Sequence, residues 1–141
     1  MWVYLNGEIL DSSEAKISPL DRAFTFGEGV YEVIPSYNKK LFLFSEHLSR
    51  LKSSLEKSFI PFPQELTNLE EVIYQLHDMN GFLNQSFYIQ VTRGVQEFRS
   101  HQADPVIDPT IFISSQNLEI NPYRLNPDRV GLRARLEEDI R

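Results

Sequence analysis

The spacing of apolar residues changes along this chain, and the change limits the folds that the chain can adopt. Apolar residues recur with the helical period from Glu46 to Ser58 and again in a stretch from Thr67 to Gly81. Further on, Phe87, Ile89 and Val91 alternate with polar residues, the two-residue period of a strand with one buried face. One-sided helices and a one-sided strand predict helices packed on one face of a sheet.

Capping signals mark the ends of the two predicted helices. Ser45 precedes the first apolar stripe and is predicted to be its N-cap, so the first helix is expected over Glu46 to Ser58. Thr67 and Glu70 have capping-box spacing at the start of the second helix. Gly81 is placed to end that helix.

Turn chemistry predicts two β-hairpins before the helices. Asn6-Gly7, within Trp2 to Leu10, best tolerates the positive φ angles of a two-residue type I′ turn. A second hairpin is predicted from Val30 to Tyr37 and Leu41 to Phe44, with Pro35 tolerated at an edge or a bulge. Two later strands are expected, at Thr110 to Ser115 and Val130 to Leu136. The element order predicts an α+β fold, a two-layer domain with a mostly antiparallel sheet and two helices on one face.

Composition argues against several classes of protein. The 141 residues include no cysteine, which removes disulfides, thiolate metal sites and a cysteine nucleophile, and no other metal site is predicted. A formal charge of −6 with scattered basic residues argues against a nucleic-acid partner. No apolar run spans a bilayer and no signal peptide is visible, so a cytoplasmic location without a membrane partner is expected. A small molecule is the expected ligand.

The motif EFRSH, from Glu97 to His101, places two anion-binding side chains close together. In an extended segment Arg99 and His101 point to the same side and could converge on one small carboxylate. The alternative is that both residues simply keep an exposed loop soluble.

Three further features have both a structural and a functional interpretation. Arg50 follows Glu46 by one helical turn, so a surface ion pair is the alternative to an anion-binding role. His47 has no second metal ligand one turn further on and is interpreted as structural. Gly27 and Gly29 permit either a close backbone approach to a ligand or a tight turn before a strand.

Taken together, three segments resemble one enzyme family. They are DRAFTFGEGVYEVIPSYNKKLFLFSEHLSRL (Asp21 to Leu51), YIQVTRG (Tyr88 to Gly94) and the R-x-H element at 99–101. The first two resemble fold-type IV pyridoxal-phosphate-dependent enzymes, which include branched-chain aminotransferases, D-amino acid aminotransferases and aminodeoxychorismate lyases. The third resembles the carboxylate-binding loop of the D-amino acid subgroup. The resemblance implies pyridoxal 5′-phosphate as cofactor and amino-group transfer between a D-amino acid such as D-alanine and a 2-oxo acid.

The same resemblance implies roles for five side chains. Arg50 is expected to bind the phosphate of the cofactor. Tyr31 and Val33 are expected to line the substrate side, and Tyr31 is expected to hold the substrate α-carboxylate together with Arg99 and His101. Because the loop reaches across a dimer interface in this family, a homodimer is expected in which Arg99 and His101 serve the neighbouring subunit's site.

None of the five lysines of the chain lies in a motif like that of the family's Schiff-base lysine, which is therefore expected beyond Arg141. Residues 1–120 are expected to form a small N-terminal α+β domain, and residues 121–141 a linker and the start of a truncated larger C-terminal domain. The 141 residues alone are accordingly expected to be inactive. Alternatives are a branched-chain aminotransferase or an aminodeoxychorismate lyase, and a non-catalytic binding module.

Overall fold

A six-stranded sheet with two long helices on one face organises the domain in the computed structural model, which describes residues 1–119 and 135–137. The strands are β1 (Trp2–Leu5), β2 (Glu8–Asp11), β3 (Gly29–Tyr37), β4 (Lys40–Leu41), β5 (Gln85–Thr92) and β6 (Ile111–Asn117). The helices are α1 (Arg22–Phe26), α2 (Phe44–Lys57) and α3 (Leu69–Asn80), and a 3-10 turn (Gln64–Asn68) leads into α3.

Every strand pair in the sheet is antiparallel, in the order β2-β1-β6-β5-β3-β4. Helix α2 packs against β3, and α3 packs against β1 and β6. Because β4 pairs only with the end of β3, at Ser36 and Tyr37, the first half of β3 lies at an open edge of the sheet. The prediction of an α+β fold with a mostly antiparallel sheet is confirmed.

The core lies between the sheet and the two long helices. Its buried apolar residues come from alternate positions of the strands and from one stripe of each helix: Ile34, Phe87, Ile89, Val91, Ile111, Ile113, Leu51, Leu55, Leu69, Ile73 and Leu76. Strand β5 shows the predicted alternation, since Phe87, Ile89 and Val91 are buried while Tyr88 and Gln90 lie on the opposite face. That opposite face is only partly covered.

Residues with positive φ join the strands of both predicted hairpins and end α3. Asn6 and Gly7 have φ of 47° and 100° and join β1 to β2. Asn38 and Lys39 have φ of 49° and 62° and join β3 to a β4 that is shorter than expected. Gly81 ends α3 with a φ of 74°, as predicted.

Both predicted helix starts are wrong, by two residues for α2 and by one for α3. Helix α2 begins at Phe44 rather than Glu46, and its N-cap is Leu43 with φ of 48°, not Ser45. Phe44 packs against the core, so burial of its ring draws it into the helix instead of the predicted strand. The predicted cap Thr67 lies inside the 3-10 turn, and α3 starts after Asn68 without a side-chain cap.

The glycine pair forms the turn and the strand start that the structural interpretation predicts. Gly27 ends α1 with a φ of 72°, and Gly29 opens β3 beside Thr92 of β5. A Cβ at Gly29 would meet the carbonyl oxygen of Val91 at 3.2 Å, so the strands approach closely there.

The last predicted elements lie largely or wholly outside the described residues. This applies to the strand at Val130 to Leu136, of which only 135 and 136 are described, without strand structure. It also applies to the linker and second-domain segment at 121–141, of which 135–137 are described.

Candidate functional site

A bidentate ion pair holds the guanidinium of Arg50 against β3. Nε and Nη2 of Arg50 donate to the two carboxylate oxygens of Glu32 at 2.6 and 2.5 Å. The Glu32 side chain is buried, whereas that of Arg50 is 66% exposed. The predicted surface partner of Arg50, Glu46, takes no part in an ion pair among the described residues. Arg50 therefore presents a fixed, solvent-facing cation.

Glu32 receives further hydrogen bonds that keep it ionised. Nδ1 of His47 lies 3.0 Å from Oε1, and the backbone N–H of Val33 donates to the same oxygen at 2.9 Å. The hydrogen bond from Arg50 is the largest cause that lowers the pKa of Glu32 from 4.5 to about 2. His47 thus has the structural role that the sequence analysis assigned to it.

Sequence reasoning did not single out Glu32. The sequence feature that could have identified it is a charged residue on the inward face of a strand, which Glu32 shares with the buried residues Ile34 and Ser36. A buried carboxylate requires a cationic or hydrogen-bonding partner, so an arginine on the covering helix was the natural candidate.

Tyr31 and Val33 flank Glu32 and point to the other face of the sheet. Tyr31 is 66% exposed, and its ring stacks on Tyr88 with centroids 5.6 Å apart. The hydroxyl of Tyr88 donates to Oε1 of Gln90 at 2.8 Å. The two predicted substrate-side residues therefore share one open face, while Arg50 lies on the helix side of the same edge strand.

Arg99 and His101 are exposed on the loop after β5 and contact the same aromatic ring. Cζ of Arg99 lies 4.6 Å from the centroid of Phe26, and the ring of His101 lies 5.4 Å from it. In the described part of the chain Arg99 has no carboxylate partner. The structure therefore brings these two predicted residues together, but no hydrogen bond or ring contact between described residues joins them to Tyr31.

Beneath this loop lies a partly buried ion-pair network that the sequence analysis missed. Arg22 is 1% exposed and makes a bidentate pair with Glu28, and Nε of Arg93 donates to the same carboxylate. The hydrogen bond from Arg22 is the largest cause that lowers the pKa of Glu28 to about 2. Arg93 also donates to the carbonyls of Ser58 and Phe59 at 2.9 and 2.8 Å.

One cavity of the described chain lies apart from the predicted site residues. A cavity of about 410 Å³ on the open sheet face is lined by Phe24, Gln90, Thr92 and Phe112 among others, and by none of the five predicted site residues. No cluster of three or more metal-ligating side chains occurs in residues 1–119 and 135–137. In the same residues, no helix has the length and apolarity required to cross a membrane.

Comparisons with known proteins identify the family. The family model described as amino-transferase class IV matches residues 29–140.

The chain belongs to the class IV aminotransferases.

This class IV chain is 34% identical to D-alanine aminotransferase of Staphylococcus haemolyticus, over 99% of this chain and 48% of that protein. It is 37% identical to D-alanine aminotransferase of Staphylococcus aureus strain N315, over 86% of this chain and 43% of that protein. The chain thus spans about half the length of the curated relatives that it matches.

Solved structures of class IV enzymes share the fold. A branched-chain amino acid aminotransferase from Escherichia coli superposes with a TM-score of 0.76 at 19% identity, covering 83% of this chain and 41% of that one. A branched-chain aminotransferase from Thermoproteus uzoniensis, solved with norvaline, gives a TM-score of 0.74 at 22% identity, covering 84% and 41%. At these identities the likeness concerns the fold.

Proposed function

We propose that the protein carrying this chain is a D-amino acid aminotransferase, which moves the amino group of a D-amino acid such as D-alanine to a 2-oxo acid. The observation that carries the proposal is the position of Arg99 and His101 on the ring of Phe26, in a loop where the Arg99 guanidinium has no carboxylate partner among the described residues. A planar cation beside an imidazole suits an α-carboxylate, which both substrates carry. Relatives named D-alanine aminotransferase support the choice of D-amino acid.

Arg50 fits the phosphate of pyridoxal 5′-phosphate. Its Nη1 donates to no other described residue, and its Nε and Nη2 are held in place by Glu32. A guanidinium with one side anchored and one side free can donate to a phosphate oxygen without first being ordered. When bound, pyridoxal phosphate supplies the electrophilic carbon and the electron sink of amino-group transfer.

The residues of this chain bind and orient the reactants. Arg99 and His101 hold the α-carboxylate, and the hydroxyl of Tyr31 donates to it from the sheet face. Val33, next to Tyr31 on the same face, limits the side chain that fits beside the carboxylate. Orientation by three groups leaves the amino group as the part of the substrate that is free to react.

A homodimer is part of the proposal. Arg99 and His101 contact Phe26 and not Tyr31 within the described chain, so one chain does not assemble all three carboxylate-binding groups. A neighbouring subunit would supply the loop to the face that carries Tyr31. The acidic, cysteine-free composition accords with a cytoplasmic enzyme, which completes the proposal.

Domain organisation follows from the same proposal. Residues 1–120 form the small N-terminal domain, and residues 121–141 lead into a larger domain that holds the Schiff-base lysine. The 141 residues alone would then bind reactants without turning them over.

The test is an assay of the complete gene product with D-alanine and 2-oxoglutarate, compared with the variant Arg99→Met/His101→Leu. We expect turnover of D-alanine by the wild type and a fall in kcat/KM of about 100-fold or more in the variant, since charge-assisted hydrogen bonds to the carboxylate are lost. Unchanged use of D-alanine by the variant contradicts the carboxylate-binding role.

The same assay separates the alternatives. Transfer from L-leucine but not from D-alanine identifies a branched-chain aminotransferase, and release of pyruvate from aminodeoxychorismate identifies the lyase. A complete product that binds pyridoxal phosphate or a carboxylate tightly but turns over neither class of amino acid supports the binding module.

A further inference from the structure

Arg22 is the largest fully buried side chain of the domain, and none of the roles above uses it. It begins α1, directly after Asp21, whose carboxylate caps that helix by accepting from the backbone N–H of Ala23 at 2.8 Å. The backbone N–H of Arg22 itself donates to the carbonyl of Gly94 at 2.8 Å. Its main chain is therefore attached to the start of the loop that carries Arg99 and His101.

All five N–H groups of the guanidinium have acceptors. Two of them bind Glu28, one binds Oε1 of Gln96 at 2.7 Å, and two bind the backbone carbonyls of Ser100 and His101 at 2.8 and 3.3 Å. Three of the five acceptors thus belong to the loop, and the two carbonyls follow Arg99 directly along the chain. A single planar group fixes the backbone at the point where the carboxylate-binding side chains leave it.

Phe26, at the other end of α1, also links Arg22 to the loop. Cζ of Arg22 lies 4.5 Å from its ring centroid, and Arg99 and His101 contact the same ring. The buried guanidinium therefore orients the ring on which both exposed side chains rest.

We infer that Arg22 is the positioning residue of the carboxylate-binding loop, acting through the carbonyls of Ser100 and His101 and through Phe26. This inference rests on the proposed function for the identity of the ligand, and on the hydrogen bonds of Arg22 for the mechanism. A purely structural Arg22 would stabilise the fold and leave the affinity for substrate unchanged.

The experiment compares three variants of the complete gene product with the wild type. Arg22→Met keeps the apolar stem and removes all donors. Arg22→Lys keeps the charge beside Glu28 but lacks the planar fork that also reaches the loop carbonyls. Arg93→Met is the matched control, because it removes the other partner of Glu28 but contacts Ser58 and Phe59 instead of the loop.

Three quantities are measured: amide hydrogen exchange of residues 96–102, KM and kcat for D-alanine, and the melting temperature. For Arg22→Met and Arg22→Lys we expect the amide exchange rate of residues 96–102 and KM to rise by about tenfold or more. The value of kcat should change much less, since the lost interactions bind the ground state and the transition state equally. Arg22→Lys should recover most of the melting temperature without recovering KM. Arg93→Met should lower the melting temperature and leave KM and loop exchange near the wild-type values.

Two results overturn the inference: unchanged exchange of residues 96–102 in both Arg22 variants, or a KM that follows the melting temperature across all variants, Arg93→Met included. If Arg22→Met does not fold, Arg22→Lys decides the matter. A failure of the proposed function is distinct from both results, because the wild type itself would not turn over D-alanine, and the exchange of the loop would still decide the role of Arg22.

Discussion

Glu32 of β3 and Arg50 of α2 are joined by two hydrogen bonds, at 2.6 and 2.5 Å, that pin a cation at the open edge of the sheet. Removing the carboxylate should therefore loosen Arg50. We expect Glu32→Gln to weaken pyridoxal phosphate binding by about tenfold and to lower the free energy of unfolding by about 1–3 kcal/mol, because the buried side chain at position 32 loses its charge-assisted hydrogen bonds to Arg50. Glu46→Gln is the control, since the structure does not pair Glu46 with Arg50. Equal effects of the two substitutions on cofactor affinity, measured by fluorescence titration, would contradict the assignment.

Stability should fall in acid as Glu28 and Glu32 take up protons. Both have a folded pKa of about 2, against an ordinary value of 4.5. A carboxylate with a lowered pKa stabilises the fold fully above its unfolded pKa and loses that stabilisation as pH falls towards the folded value. Urea midpoints measured between pH 6 and 2.5 should decline most steeply below about pH 4.5. Glu28→Gln/Glu32→Gln should show a flatter profile, and an unchanged slope would rule out these two groups as its source.

His77 should cause a separate fall in stability at milder pH. Its side chain is buried against Phe87, neither ring nitrogen has a hydrogen-bond partner among the described residues, and burial lowers its pKa from 6.5. The unfolded chain therefore takes up a proton below about pH 6.5 while the folded chain does not, so stability falls from there downwards. His77→Leu should abolish this step in the urea midpoint between pH 7 and 5. His101→Gln, which removes an exposed histidine, is the matched control and should retain it.

Gly94 cannot accept a side chain. It has a φ of +104°, and a Cβ there would lie 1.9 Å from the carbonyl oxygen of Asp108. We expect Gly94→Ala to lower the free energy of unfolding by more than about 2 kcal/mol, from strain and from displacement of the loop. Gly7 has nearly the same φ, +100°, with nothing within 4 Å of its Cβ position. Gly7→Ala therefore measures the cost of the backbone strain alone. Equal losses of unfolding free energy in the two variants would show that the contact with the Asp108 carbonyl contributes nothing.

Subunit mixing tests the proposed dimer. If Tyr31 of one subunit and Arg99 of the other form a site, inactive Tyr31→Ala and Arg99→Met proteins should regain about a quarter of wild-type activity after random exchange, since half of the dimers then carry one intact site. A mixture of Tyr31→Ala with Val33→Trp is the control, because both residues lie on the same strand of one chain. The control should not recover activity, and absence of recovery in both mixtures would place all the groups within one subunit.

Local chemistry predicts the parts of the fold that neighbouring residues decide. Asn6 and Gly7 tolerate positive φ in any context, and the alternation of β5 reports directly which face is buried. The start of α2 depends instead on Phe44 packing against residues distant in the sequence, which an N-cap rule does not contain.

The candidate site divides in the same way. Residues proposed to face a ligand carry an unusual chemistry for their position, so the motif of Arg99 and His101 can be recognised in the sequence. Residues that support them are recognised only by their partners: Arg22 binds Ser100 and His101, which follow it by 78 and 79 positions. No periodicity brings such groups together, because the fold of the loop determines the contact.

Strand β3 has a consequence for how enzymes of this kind can diversify. Its successive residues alternate between the open face, with Tyr31 and Val33, and the packed face, with Glu32 and Ile34. Substitutions at Tyr31 and Val33 would change the groups that the proposed site offers to a substrate and would leave the core and the ion pair between Glu32 and Arg50 untouched. Saturation libraries limited to those positions should therefore yield variants of altered substrate preference with little loss of stability, so that selectivity can evolve separately from folding.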